Sequence, residues 1–347
     1  MAEHISYGTV KAEGLAIFYR EAGPKDAPAI VLLHGLPSSS RMFEPLLARL
    51  AGQFHMVAPD YPGFGHSDAP PPTGFSYTFD NIARVMAHFT EALNLTRYTL
   101  FMQDYGGPVG FRMALAHPDR VEALIVQNAV AHDEGLGALW KTRRAFWAHR
   151  SSHEAALLAN LLSLEAARLR HVGSDPNPEK YDPDLWTDEY AFLNRPGEAD
   201  IQSDLFFDYR TNVEAYPKWQ AWMQKMQPRL LVLWGRYDPS FESTEPRRTA
   251  VTFRRLRFKS LMRGTSRWIP RPMRLPTSFV SSCRRQTIEF LYTITSADDR
   301  GQAMLGLLLV FLTFLLFRAL TLMRRRVLRI VLLHDGLVRL VLVVLAV

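Results

Sequence analysis

The sequence predicts an α/β protein in which a mostly parallel central sheet is flanked by helices and carries a helical cap. Three observations predict it. Short Val/Ile/Leu runs alternate with helical patterns over the first 130 residues, as in a sheet buried on both faces. One of these runs, residues 98–102, passes through Gln103-Asp104-Tyr105-Gly106-Gly107 into a helical pattern at 108–116. After a long stretch of helical pattern, strand character returns at residues 229–235.

In chain order, strands are expected at residues 15–20, 29–33, 55–58, 98–102 and 123–126, each a short apolar run bounded by turn residues. Helices are expected at 42–51 and 79–93 from their apolar spacing. Residues 132–225 are rich in Trp and Tyr, with helical patterns at 138–149 and 153–171 and a Pro/Asp-rich break at 174–184. The expected division is residues 1–131 for the first part of the core, 132–225 for the cap and 226–246 for the rest of the core. Residues 247–347 form an atypical basic and apolar tail.

Composition separates the same pieces. The net charge of +7 conceals a tail of 19 Lys+Arg against 4 Asp+Glu, so residues 1–246 are acidic by 8. Eighteen of the tail's 19 basic residues are Arg, and no recognisable nucleic-acid motif accompanies them. The single cysteine, Cys283, excludes an internal disulfide framework and fits a reducing compartment. The first residues lack a basic start and an apolar stretch, so a cytoplasmic catalytic part is expected.

A strand that turns sharply through paired glycines into a helix is a nucleophile elbow, which lifts one side chain above the sheet beside a helix N-terminus. Here that residue is Asp104, and a carboxylate attacking sp³ carbon gives an alkyl ester. His34-Gly35-Leu36-Pro37 follows the strand at 29–33 and offers a backbone N–H toward the elbow, one half of an anion hole. The loop from Asp60 to Ser67, with Gly63 and Gly65, reads as a structural support beneath the site.

These segments in this order resemble the α/β-hydrolase superfamily, and the elbow aspartate with His-Gly-x-Pro points to its haloalkane dehalogenase, haloacetate dehalogenase and epoxide hydrolase branch. The resemblance covers about residues 10–245. It implies Asp104 as nucleophile, the N–H groups of Leu36 and Tyr105 as anion hole, and His34, Gly35, Pro37, Gly106 and Gly107 as supports. Asp238, in Trp-Gly-Arg-Tyr-Asp-Pro after the later strand, would orient a histidine base. The partners implied are a small, mostly apolar organic substrate and water; no metal or organic cofactor and no nucleic acid is implied.

Some residues depart from the pattern. Met102 is larger than the small residue expected two before the nucleophile. Tyr105 and Leu36 stand where dehalogenases of this type place indole or amide donors for the leaving halide. Tyr181, Tyr190, Tyr209 and Tyr216 are available for the proton-donating role that cap tyrosines have in epoxide hydrolases, beside their ordinary role in packing. Above all, only His334 lies beyond Asp238, deep in the tail.

Read one nucleotide earlier, codons permitted for residues 262–276 spell D-A-G-H-F-A-L-D-S-K-T-D-E-I-A, which looks like the family's histidine loop and last helix. Residues 253–261 likewise permit an alternating strand, missing from the frame as written. The tail is therefore read as out-of-frame translation beginning near Pro246, in a chain whose catalytic histidine is absent. Two rival readings are a membrane-anchored hydrolase, since residues 301–323 approach the ~20 apolar residues that span a bilayer, and a non-catalytic ligand-binding relative.

Overall fold

The computed structural model describes residues 4–235, Asp238, residues 240–242, Glu245 and the strand Leu256–Leu261, and all structural statements concern these residues. Eight strands form one sheet in the order β1-β2-β4-β3-β5-β6-β7-β8. They are β1 (Ser6–Ala12), β2 (Leu15–Ala22), β3 (Ala29–Leu33), β4 (His55–Pro59), β5 (Tyr98–Gln103), β6 (Val121–Gln127), β7 (Arg229–Gly235) and β8 (Leu256–Leu261). The pairs β1–β2 and β2–β4 are antiparallel; the rest are parallel. The expected fold class is the one observed.

The interior strands are apolar because helices cover both faces. All of β4 is buried, as are Ile30 to Leu33 of β3 and Leu100 to Gln103 of β5. Between strands run α1 (Glu44–Leu50), α2 (Phe79–Ala92) and α3 (Gly106–Ala116). Thr78 caps α2, its hydroxyl accepting from the Asn81 N–H at 3.2 Å. The sequence reading has no β1. Glu13 and Gly14, at φ 52° and 81°, close the β1–β2 hairpin in the left-handed pair of conformations that two-residue hairpins favour.

Between β6 and β7 lies a helical insert: α4 (Trp140–Ala148), α5 (Arg150–Leu161), α6 (Leu164–Val172), α7 (Asp184–Leu193), α8 (Glu198–Asp208) and α9 (Arg210–Met226). The single helix expected at 153–171 is broken at Leu162 and Ser163. Ser163 accepts from the Ala166 N–H at 3.1 Å and starts α6, so local capping competes with helix continuation.

The sheet continues past Pro246, which corrects the expectation that strand pattern stops there. β8 pairs in parallel with β7, from Leu230↔Leu256 to Gly235↔Leu261. The alternation Leu-Arg-Phe-Lys within it is a period-two pattern that the Arg-rich composition masks. Residues 262–347, with the apolar segment 301–323, His334 and most of the out-of-frame reading, lie outside the described residues. Among the described residues no helix is long and apolar enough to cross a membrane.

Candidate active site

Asp104 sits at the turn between β5 and α3 with φ 50°, a conformation that costs a non-glycine residue energy and is kept only where surroundings impose it. Glycines impose it here. A Cβ on Gly106 would overlap the Leu33 carbonyl oxygen, and one on Gly107 would lie 2.7 Å from the Ala129 Cβ. The large Met102 fits because its thioether lies against Gly110 of α3, where a Cβ would overlap the sulfur. The departure at Met102 is thus compensated one helical turn into α3.

β3 and β5 run parallel with Leu33 opposite Met102, which brings the turn after β3 against the elbow. The Leu36 N–H donates to Asp104 Oδ1 at 2.8 Å, and the Tyr105 N–H also donates to this carboxylate. Gly35 allows the approach, since a Cβ there would overlap Gln103 Oε1 and Asp104 Cβ. The Leu36–Pro37 peptide is cis. Burial pushes the Asp104 carboxyl up from its ordinary value, opposed first by these two N–H groups and then by the Arg143 and Arg170 guanidiniums.

His34 is fully buried and committed to structure. Its Nδ1 donates to the Gly35 carbonyl at 3.0 Å, its Nε2 accepts the Tyr61 N–H at 3.2 Å, and its ring stacks on Tyr61 at 4.0 Å. Burial lowers its pKa, so it stays neutral with both nitrogens occupied. The Asp60 loop is likewise structural: its carboxylate accepts the Ser40 N–H at 2.6 Å and the His66 N–H at 2.8 Å.

Asp238 follows β7 and is held by three donors. The Ser240 and Phe241 N–H groups reach Oδ1 at 2.7 and 3.1 Å, and Asn128 Nδ2 reaches Oδ2 at 2.5 Å. Burial raises its carboxyl to about 7, and the charge of Asp104 adds to the rise. Sequence reasoning missed Asn128. At φ 45° it closes β6, and its Oδ1 accepts the Gly235 N–H at 2.9 Å, tying β6 to the acid loop. The signal was the polar pair Gln127-Asn128 ending an apolar strand.

No described histidine hydrogen-bonds Asp238. His55, His132 and His171 face Glu21, Glu245 and Glu189 at 2.6, 2.9 and 2.8 Å.

The structure separates the four tyrosines. Tyr181 donates to Asp175 at 2.9 Å, and Tyr190 is exposed on α7. Tyr209 is buried beside the elbow, its ring 5.9 Å from Tyr105 and 4.5 Å from Trp140, and the Asp104 charge bears on its hydroxyl. Tyr216 is buried two helical turns further along, and the charges of the two tyrosines act on each other. The insert also brings in Arg143, which sequence reasoning missed. Trp140, Arg143 and Trp147 are spaced three and four apart along α4, and Arg144 pairs with Asp133 while lying 5.7 Å from the Trp147 ring centre.

The sequence pattern of the alpha/beta hydrolase fold matches residues 28–260. The chain belongs to the α/β-hydrolase fold family. It is a hydrolase of this fold, related to haloalkane dehalogenases. A Saccharomyces cerevisiae protein described as an uncharacterized hydrolase is 36% identical over 233 residues, covering 66% of this chain and 80% of its own. Haloalkane dehalogenase 2 of Mycobacterium tuberculosis is 41% identical over 101 residues, 29% of this chain and 35% of that enzyme. The match thus spans about a third of that dehalogenase's length.

Among solved structures, haloalkane dehalogenase DbeA from Bradyrhizobium elkani aligns with TM-score 0.65 at 20% identity, covering 85% of this chain and all of that one. Epoxide hydrolase CorEH aligns with TM-score 0.61 at 19% identity, covering 76% and 92%. At these identities the likeness speaks for the fold.

Proposed function

We propose that this α/β hydrolase attacks an sp³ carbon of a small organic substrate with the Asp104 carboxylate, forming an alkyl ester that water then hydrolyses. The observation that carries the reading is the elbow itself: a carboxylate at φ 50°, with Oδ1 held 2.8 Å from the Leu36 N–H. Oδ1 stays anchored while Oδ2 attacks in line, and the leaving halide or opening epoxide oxygen departs toward the helical insert. When water adds to the ester carbonyl, the same N–H groups meet the developing oxyanion without reorganising. Tyr209 is the insert tyrosine placed to give a proton to an epoxide oxygen, and the resemblance to dehalogenases favours halide displacement equally.

The first half-reaction asks only for the carboxylate and its anchoring N–H groups. The second asks for a base, and Asp238 in this chain has amide donors where a histidine would stand. That supports a chain able to form the ester and slow to release it.

Asp104→Asn tests the assignment. Asparagine tolerates the left-handed conformation, so the elbow should keep its shape. First-turnover halide release from a small bromoalkane is expected to fall roughly 10³-fold or more. Release at the parental rate would contradict the proposal.

A further inference from the structure

We infer that Arg112 is a positioning residue that holds Tyr209 beside Asp104, by clamping the turn between α8 and α9 to the elbow helix. The inference rests on the reading above, in which Asp104 attacks and Tyr209 gives a proton to an opening epoxide oxygen.

Tyr209 stands at the junction of α8 and α9, where no side chain caps the start of the new helix. The junction is a tight turn, with the Asn212 N–H donating to the Tyr209 carbonyl at 2.9 Å. Turns of this kind have poorer hydrogen-bond geometry than α-helical ones. Where the Tyr209 ring lies therefore depends on what holds the residues on either side of it.

Both sides are tied to the core. Before Tyr209, the Asp208 carboxylate accepts the Phe79 N–H at 2.8 Å, at the first residue of α2. After it, Arg112 of α3 donates from Nη2 to the Thr211 hydroxyl at 3.1 Å and from Nη1 to Asn212 Oδ1 at 2.7 Å. The same guanidinium pairs through Nε with Asp80 of α2 and reaches the Pro108 carbonyl of α3 at 3.3 Å. Its side chain is only 12% exposed, so water competes little for these charge-assisted bonds. The guanidinium also lies 5.7 Å from the Phe79 ring centre and 5.6 Å from that of Trp219 on α9. Phe79 in turn meets Tyr105 at 4.9 Å and Tyr209 at 5.6 Å, both edge to face. One planar cation thus joins α2, α3 and α9, and Phe79 carries the restraint to the two tyrosines at the elbow.

The two candidate substrates of the site separate this role from plain support of the fold. Burial, and then the charge of Asp104, holds the proton on the Tyr209 hydroxyl well past neutral pH, so the hydroxyl is a donor there. Opening an epoxide forms the Asp104 Oδ2–carbon bond and breaks the ring carbon–oxygen bond. The oxygen keeps the electron pair and takes the Tyr209 proton, leaving a hydroxyalkyl ester and a tyrosinate that water reprotonates. A bromide leaves with the carbon–bromine electron pair and takes no proton. A displaced Tyr209 therefore slows the epoxide and spares the bromoalkane, whereas a damaged elbow slows both.

The test follows ester formation on Asp104 by mass in single-turnover reactions with propylene oxide and with bromopropane, beside amide hydrogen exchange along residues 205–215. Arg112→Gln should slow the epoxide reaction roughly tenfold or more and leave the bromopropane reaction within about twofold. Arg112→Lys keeps the charge and loses the fork, so its epoxide rate should fall between parent and Arg112→Gln. Tyr209→Phe should slow the epoxide at least as much, and adding Arg112→Gln to it should change little, because both act through one donor. Exchange at the junction should rise in Arg112→Gln and stay as in the parent along α5. Equal slowing of both substrates by Arg112→Gln, fully additive effects in the double variant, or unchanged exchange at the junction would overturn the positioning role. An epoxide reaction unmoved by Tyr209→Phe, or no ester from the parent with either substrate, would strike the reading of Tyr209 or of Asp104 itself. Exchange at the junction then decides the clamp alone.

Discussion

With a small haloalkane this chain should release about one equivalent of halide and then stall. Alkylation needs only the carboxylate and the N–H groups of Leu36 and Tyr105, which are in place. Hydrolysis of the ester needs a base beside the attacking water, and losing such a base typically slows the step ~10²–10⁴-fold. The described histidines offer no ready substitute. His34 is neutral with both nitrogens occupied, His132 and His171 face glutamates, and Asp238 is held by Asn128, Ser240 and Phe241. A chain in which the D-A-G-H-F-A-L-D sequence replaces residues 262–269 should turn over repeatedly on the same substrates. Halide release followed over time decides it. Multiple turnover by the parent, surviving His334→Ala, would mean that another residue supplies the base.

The second large effect is on stability against pH. In the folded chain the Asp238 carboxyl holds its proton up to about 7, because it is buried and the charge of Asp104 adds to the rise. Unfolded, it would ionise near pH 4. Between those values unfolding releases a proton, so stability falls as pH rises from about 4 to about 7 and is level above. The penalty reaches at most about 4 kcal/mol for a shift of about three units. Asp238→Asn removes the titration while keeping an oxygen for the Ser240 and Phe241 N–H groups. Denaturant unfolding at a series of pH values should show the parent losing stability relative to the variant across that window. A constant difference would contradict a raised Asp238 pKa. Placing a histidine against Asp238 should also flatten the profile, since an imidazolium partner favours the carboxylate.

Much of this was legible in the sequence, for identifiable reasons. Buried parallel strands such as β3, β4 and β5 are continuous apolar runs, so periodicity and turn residues located them. Asp104 was visible because an elbow imposes a local pattern, a strand followed by glycines and a helix. β1 was not, since an edge strand with exposed residues lacks an apolar run and its turn, Glu13-Gly14, is a weak signal. β8 was hidden by arginine. Asn128 and Arg143 were out of reach for another reason. Their roles come from partners 110 residues away, in the case of Asn128 and Asp238, or from a helix packed over the elbow, and no local spacing encodes that. The tyrosines show the same limit: four were equivalent in sequence, and tertiary packing alone set Tyr209 beside Asp104 while leaving Tyr190 exposed.

The most direct test of the central claim is the mass of the peptide that carries Asp104 after brief reaction with a small bromoalkane and acid quench. The account predicts one added alkyl group, on the Asp104 side chain, lost on mild alkaline treatment and absent from Asp104→Asn. An alkyl group on another residue, or the same mass gain in Asp104→Asn, would contradict it.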